Sequence, residues 1–313
     1  MAGSAEARSC RLCGRRAVAK LAYSGTHLCA DHFVRYFEEK ALRTIENFEM
    51  FERGERVAVA VSGGKDSLAL LRFLSKYMSR MGIELVAVLV DEGIRGYRPP
   101  KIEAARRYAR EWGVDLVVRS FEEDTGYTLD DAVRRLVAGG LRYKPCTVCG
   151  IFRRYILNKA ALELGADKVA TAHNLDDEAQ AFLLNAAQAN FKAIAREGPT
   201  TPRAHPKLVP RVKPFYFIPE KEVLIYALLQ GIETPDVECP YIVYSSRHVL
   251  RRWLNAVSEG DPGAKYRVMA VKNIVSRLVE GKPEEFRSCT VCGMPSSGPV
   301  CKACEMKKIL AKT

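Results

Sequence analysis

The chain has 313 residues, 48% hydrophobic and 27% charged, which excludes disordered and fibrous classes. Its longest apolar runs, residues 57–61 and 85–90, fall far short of the roughly 20 residues that span a bilayer, and residues 1–16 hold no signal-like stretch, so neither secretion nor membrane insertion is expected. Forty-nine Lys and Arg against 37 acids leave a formal +12, concentrated in residues 192–221 (seven basic, two acidic) and 241–313 (thirteen against six), an imbalance that suits a polyanion, nucleic acid first.

From the amino end, Cys10-x2-Cys13 is followed, fifteen residues on, by Cys29-x2-His32. Two chelating pairs on tight turns are what a closed tetrahedral zinc site requires, and the CxxH spacing favours His32 over nearby His27 as fourth ligand. A segment this short cannot bury a core, so the metal would supply its folding energy. Residues 42–51 read as a helical bridge. Residues 56–61 (RVAVAV) form an apolar strand ending in Ser62-Gly63-Gly64-Lys65-Asp66-Ser67, and a helical pattern follows through Leu68, Leu70, Leu71 and Leu74. A second strand, 84–90, ends at Asp91-Glu92-Gly93; a helix over 100–112 leads to a third strand, 115–121. Cys146-x2-Cys149 lies in a turn bracketed by Lys144, Pro145 and Gly150. Then come a helix over 151–164, a strand over 168–172 ending at His173, and a helix over 174–189. Residues 192–220 carry six prolines and read as a basic surface connection, equally suited to facing RNA or to serving as an inert linker. Strand 212–217 and helix 221–230 complete the unit, before Cys239. Helices over 247–257 and 265–279 join it to a second zinc-type module, Cys289-x2-Cys292 and, eight residues on, Cys301-x2-Cys304.

Continuous apolar strands alternating with helices predict an α/β fold with a doubly wound parallel sheet, flanked by N- and C-terminal zinc modules. The expected organisation is a zinc module over 1–40, a catalytic domain over 41–240, a helical RNA-binding or linker region over 241–285 and a zinc module over 286–313. Ser62, Asp91 and His173 each follow a strand, where open α/β sheets bind ligands.

SGGKDS between strand and helix is a phosphate cradle. Gly63 and Gly64 let backbone N–H groups approach an anion, and the helix start adds its dipole. Lys65 can neutralise phosphate, Ser62 and Ser67 can donate hydrogen bonds, and Asp66 can cap the helix or help hold Mg2+. It is neither a Walker A sequence nor GxGxxG. Cys146, Cys149 and Cys239 are left over, an incomplete tetrahedron. They suit an iron–sulfur cluster with one iron open, or equally a redox pair with a resolving cysteine. His173 reads equally as structural or as a nucleotide contact, Asp176 as an N-cap or solvated carboxylate, and Arg251 and Arg252 equally as tRNA-facing or solvated.

SGGKDS resembles the PP-loop of the N-type ATP pyrophosphatases, and Thr171-Ala172-His173-Asn174-Leu175-Asp176-Asp177-Glu178 is similar to their second signature, with Ala172 in place of a glycine. With Cys146, Cys149, Cys239 and both zinc modules, residues 10–304 resemble the tRNA 2-thiouridine synthetases of the TtuA group. The resemblance implies adenylation of a tRNA uridine at O2 by ATP, then attack of sulfur at C2 with loss of AMP, with a T-loop uridine favoured and a wobble uridine the alternative. It further implies ATP and Mg2+, two Zn2+, a [4Fe-4S] cluster on Cys146, Cys149 and Cys239, and a sulfide delivered by a ubiquitin-like thiocarboxylate carrier protein. By the same resemblance Ser62–Ser67 bind phosphates, Asp91 lies near the adenosine, Ala172 offers a backbone contact, Asp177 is an acid/base or magnesium partner, and Arg153 faces nucleotide and cluster. A homodimer in the cytoplasm, with no membrane partner, is the implied setting. Another PP-loop enzyme, a cysteine-persulfide relay and a tRNA-binding scaffold with a vestigial nucleotide site are the competing readings.

Overall fold

The computed structural model describes residues 8–140, 143–279 and 286–313; the first seven residues of the expected N-terminal module and residues 280–285 of the expected helical region lie outside them. The first described segment is a short antiparallel hairpin, β1 (Ala19–Lys20) and β2 (His27–Leu28), leading into α1 (Ala30–Asn47). Cys29 is the N-cap of α1, and the helix runs unbroken across the boundary expected at residue 40. There follow β3 (Arg56–Val61), α2 (Lys65–Tyr77), β4 (Glu84–Asp91), α3 (Arg98–Glu111), β5 (Asp115–Ser120), α4 (Phe121–Thr125), α5 (Leu129–Ala138) and α6 (Pro145–Glu163). Next are β6 (Lys168–Ala170), α7 (Leu175–Ala187), α8 (Phe191–Arg196), β7 (Arg211–Val212), α9 (Glu220–Leu229), α10 (Ser246–Gly260) and α11 (Ala264–Leu278). The hairpin β8 (Arg287–Ser288) and β9 (Pro295–Ser296) and the helix α12 (Lys302–Leu310) form the C-terminal module.

Strands β5-β4-β3-β6-β7 form one parallel sheet in that order. In β3, Val57, Ala58 and Val59 are fully buried, so both faces are covered and the strand is apolar throughout rather than alternating. The chain leaves β3 toward β4 and β5, then crosses back to β6 and β7. The order therefore reverses between β3 and β6, the switch point at which open α/β sheets bind ligands. The loop after β3 is Ser62–Gly64, and the loop after β6 is Thr171–Asn174, so both motifs converge there.

Four expectations are corrected. Residues 192–220 are not simply a surface connection: Ile194, Val209, Val212, Phe215, Tyr216 and Ile218 are buried, because β7 closes the sheet edge and the turn after it packs beneath α9. The expected strand 212–217 is only this two-residue β7. Cys146 and Cys149 lie in the first turns of α6 rather than in a turn before it, because Pro145 occupies the first helical position, where its fixed φ and missing N–H cost nothing. Finally, α10 and α11 pack on α7 and α8 instead of leading to the C-terminal module, whose α12 returns to α5 and α6. Met306 and Leu310 of α12 share one buried cluster with Val148, Phe152 and Ile156 of α6.

Candidate active site and metal centres

The phosphate loop is held open by its own residues. The Ser67 hydroxyl accepts from the Ser62 backbone N–H (3.0 Å) and donates to the Gly64 carbonyl (2.9 Å), and the Ser62 and Ser67 hydroxyls lie 3.1 Å apart. Gly63 has φ +73°, and a Cβ there would sit 2.0 Å from the Lys101 carbonyl oxygen, so only glycine fits. Lys65 opens α2 and places its Nζ 2.8 Å from both Asp66 Oδ2 and Glu220 Oε1. Burial alone would lower its pKa, but these two carboxylates hold the ammonium above its ordinary value.

Carboxylates from the second motif face this loop. Asn174 caps α7, accepting from the Asp176 (3.0 Å) and Asp177 (3.1 Å) N–H groups, while Asp177 accepts in return from the Asn174 N–H at 3.3 Å. The cap is therefore Asn174 and not Asp176, whose buried carboxylate instead accepts from the Glu220 N–H at 2.8 Å and pairs with Lys265 of α11. Asn174 also reaches Asp66 Oδ1 at 3.5 Å. Burial, together with the nearby Asp66 charge, raises Asp177 to about 6 in spite of its cap hydrogen bond, and burial likewise raises Asp66. Two carboxylates with raised proton affinity beside a phosphate cradle are a donor set that fits a hard divalent cation. His173 donates or accepts through Nδ1 at Thr171 Oγ1 (2.9 Å); its ring is reachable by water yet walled by protein, and enclosure together with Lys213 depresses its pKa, so it is neutral near pH 7. Ala172 packs against the main core just after β6.

The residues that connect this cradle to the cysteines were not singled out from sequence. Arg98, at the start of α3, is buried; its guanidinium donates to the Ser62 carbonyl (2.9 Å) and to the Val90 carbonyl and pairs with the buried Glu92. Glu92 lies 3.5 Å from Arg153 Nε, and the Arg153 charge acts on Cys149, one helical turn before it on α6. A continuous polar strut thus runs from the phosphate loop through Arg98, Glu92 and Arg153 to a cysteine. The acid pair Asp91-Glu92 at a strand end was the signal that could have exposed it. Asp91 itself accepts from the Gly93 N–H at 2.8 Å.

Cys149 and Cys239 are half-buried and Cys146 is exposed; Cys146 Sγ lies 3.7 Å from the Tyr241 carbonyl, in the segment that carries Cys239. Burial pushes the Cys149 thiol up to about 12 against the pull of Arg153, and burial raises Cys239 as well, the Cys146 charge adding to the effect. These thiols therefore gain from a cationic ligand. They do not draw together within 4.8 Å as the residues of the two terminal modules do.

In each terminal module the four ligand atoms lie within 4.8 Å of one another: Cys10, Cys13, Cys29 and His32, and Cys289, Cys292, Cys301 and Cys304. Sγ of Cys13 and Cys29, and of Cys292 and Cys301, are 3.7 Å apart, and His32 Nδ1 is 3.4 and 3.3 Å from Cys10 and Cys29. A tetrahedron with metal–sulfur bonds of about 2.3 Å has edges of about 3.8 Å, so the thiols already stand where one ion would hold them. Backbone N–H groups of Val291 (3.4 Å) and Cys301 (3.2 Å) donate to Cys289, outweighing burial and lowering its thiol to about 6.

Comparison with known proteins agrees with this geometry. Residues 35–255 match the PP-loop domain family, and residues 9–34 match the family described as 2-thiouridine synthetase TtuA, N-terminal LIM domain. The chain is 38% identical over 299 residues to the tRNA-5-methyluridine(54) 2-sulfurtransferase of Thermus thermophilus (95% of this chain, 90% of that one) and 36% identical to that of Pyrococcus horikoshii (95% and 92%). Its fold is similar to that of the U34-tRNA thiolase NcsA from Methanococcus maripaludis with its [4Fe-4S] cluster, with TM-score 0.82, 32% identity and coverage of 96% and 95%. No described helix is long and apolar enough to cross a membrane. With both signature loops at the switch point and both cysteine modules in place, the chain belongs to the PP-loop tRNA 2-sulfurtransferase family.

Proposed function

We propose that the chain converts a tRNA uridine to 2-thiouridine at the expense of ATP. The observation that carries this reading is the strut from Ser62 through Arg98, Glu92 and Arg153 to Cys149, which links a phosphate cradle to a sulfur-bearing centre. Ser62, Gly63, Gly64, Lys65, Asp66 and Ser67 hold the β- and γ-phosphates, with Asp91 beside the adenosine and the Ala172 backbone alongside. Asp66 and Asp177 hold Mg2+. Uridine O2 attacks the α-phosphorus and pyrophosphate leaves; sulfur then bonds to C2, the C2–O bond breaks and AMP departs. Lys65 and the helix dipole neutralise the charge on the departing pyrophosphate. In its alternative role, with Asp66 alone on the ion, Asp177, whose carboxyl burial raises to about 6, takes up or returns a proton at its carboxylate.

Cys146, Cys149 and Cys239 would hold a [4Fe-4S] cluster, which when bound supplies an open iron site for the transferable sulfur. Arg153 remains charged, so it orients Cys149 and Glu92 and does not serve as a proton donor. The terminal modules bind one Zn2+ each and act structurally. The sulfide comes from a ubiquitin-like thiocarboxylate carrier, and the protein works as a cytoplasmic homodimer; family resemblance supports these three statements.

The T-loop uridine is the favoured target, because the 38% and 36% relatives modify 5-methyluridine 54. The wobble uridine is the second reading, favoured by the structural likeness to a U34 thiolase. Anaerobic purification followed by iron, acid-labile sulfide and zinc analysis, and thiolation of tRNA transcripts lacking one or other uridine, tests all of this. About four iron and two zinc per chain, with thiolation lost only when uridine 54 is replaced, supports the reading. Zinc without iron after reconstitution shifts the chemistry to a persulfide, and no thiolation or ATP turnover with any transcript refutes the enzyme.

A further inference from the structure

Most cations around the site have a fixed counter-charge: Lys65, Lys213, Lys265, Arg98 and Arg251 are each paired with a carboxylate. Three are not. The side chains of Arg154 on α6, Arg211 on β7 and Arg247 at the start of α10 make no ion pair or hydrogen bond with any described residue. Arg154 folds back along α6 toward its cysteine end: its guanidinium nitrogens lie 3.2 and 3.4 Å from where a Cβ on Gly150 would project, so the glycine after Cys149 makes room for it. Arg154 feels the charges of Arg153 and Arg247 as well as Cys149, and Arg211 feels Arg154. Arg247 acts also on His173 and Asp177. Hydrogen bonds between their elements bring the three together: Lys144, the N-cap of α6, donates to Ser246 Oγ beside Arg247 (2.8 Å), and Asn158, one turn after Arg154, donates to the Lys207 carbonyl (2.8 Å) and accepts from the Val209 N–H (3.0 Å) on the segment that enters β7 at Arg211. Arg154 and Arg247 are exposed and Arg211 is half-buried, so all three remain open to a ligand between the cysteines and the second motif. A folded chain that gathers like charges without a counter-ion is less stable for it, and an anionic ligand supplies the missing charge when it arrives.

We propose that Arg154, Arg211 and Arg247 form a subsite for consecutive phosphodiesters of the bound RNA, fixing the backbone beside the nucleotide presented to Cys149; this rests on the reading that the substrate is tRNA. A lone carboxylate or single phosphate would neutralise one of the three. A polynucleotide backbone supplies several anions at regular spacing, and arginine forks match each of them bidentately.

The test uses the full-length protein and an unmodified tRNA transcript. Binding is measured against salt for wild type, Arg154→Gln, Arg211→Gln and the charge-retaining Arg154→Lys, alongside binding of a non-hydrolysable ATP analogue and thermal unfolding without RNA. Each Gln variant should bind tRNA about tenfold more weakly. Its log–log salt slope should fall by about 0.7–0.9. ATP-analogue affinity should be unchanged, the unfolding temperature should hold or rise, and Arg154→Lys should recover part of the loss. Equal tRNA affinity and slope in wild type and both Gln variants overturns the subsite. So does a loss confined to the ATP analogue. If wild type itself does not bind tRNA, the tRNA reading fails first.

Discussion

Glu92→Gln keeps the shape of the side chain and removes only its charge. In the native protein Glu92 is the counter-charge to Arg98, and the side chains of the pair are 5% and 4% exposed. The substitution therefore leaves a guanidinium buried with two carbonyl acceptors, Ser62 O and Val90 O, and no anion. Breaking one side of a buried pair costs about 3–5 kcal/mol, most of it the stranded charge. At roughly 1.5 °C per kcal/mol for a chain of 313 residues, the unfolding temperature should fall by about 5–8 °C. Because Arg98 grips the Ser62 carbonyl, the loop should loosen as well, and binding of an ATP analogue should weaken by at least about tenfold, one hydrogen bond to a charged group. Differential scanning calorimetry and titration of the analogue read both effects. The double variant Glu92→Gln/Arg98→Met removes the stranded charge and should recover part of the stability without recovering nucleotide affinity. An unfolding temperature within 2 °C of wild type in the single variant, by a margin of about one kcal/mol or less, would show that the strut does not depend on charge and would refute the reasoning.

Three further outcomes are expected. Gly63→Ala forces a methyl to within 2.0 Å of the Lys101 carbonyl at a positive φ; nucleotide binding should be abolished in titration while circular dichroism stays native, and retained binding would show that the loop relaxes freely. Asp177 has its carboxyl raised to about 6, so its contribution favours the fold at low pH and is lost as pH rises from about 4 through 6. Metal-free Asp177→Asn, which can keep the cap, should therefore be more stable than wild type by about 1–2 kcal/mol at pH 7.5, a value reduced from the full shift because the group is partly wet, and should show no gain near pH 4. Cys239→Ala should lower the iron content of anaerobically reconstituted protein while ATP-analogue affinity and zinc content stay at wild-type levels; full iron retention would separate Cys239 from the other two thiols.

How far the sequence reaches can be judged from particular residues. Runs such as Val57–Val59, apolar on both faces, could only be central parallel strands, and CxxC or CxxH pairs at fixed spacing name their ligands without reference to the rest of the chain. Both features are local. The strut is not: Arg98 and Glu92 look like ordinary surface charges until α3 folds back over the ends of β3 and β4. Asp176 illustrates the same limit. Its chain neighbours suggest a cap, yet Lys265, 89 positions away, is what balances its buried charge. The amphipathic patterns of α10 and α11 announced helices but not their seat, since a hydrophobic stripe does not specify which surface it will cover. Two-residue β7 lies below the length at which alternation can be read at all.

The apolar support under Val148, Phe152 and Ile156 of the cysteine-bearing helix α6 is completed by Met306 and Leu310. Those side chains leave the ribosome after the phosphate loop, the sheet and all three central cysteines. A nascent chain can thus assemble its nucleotide fold early while the sulfur centre still lacks its floor. On the proposed reading, maturation is thereby ordered in time: a cluster on the three cysteines would have a finished seat only after the C-terminal module has docked. Zinc supply and iron–sulfur loading would then be successive checkpoints along one polypeptide.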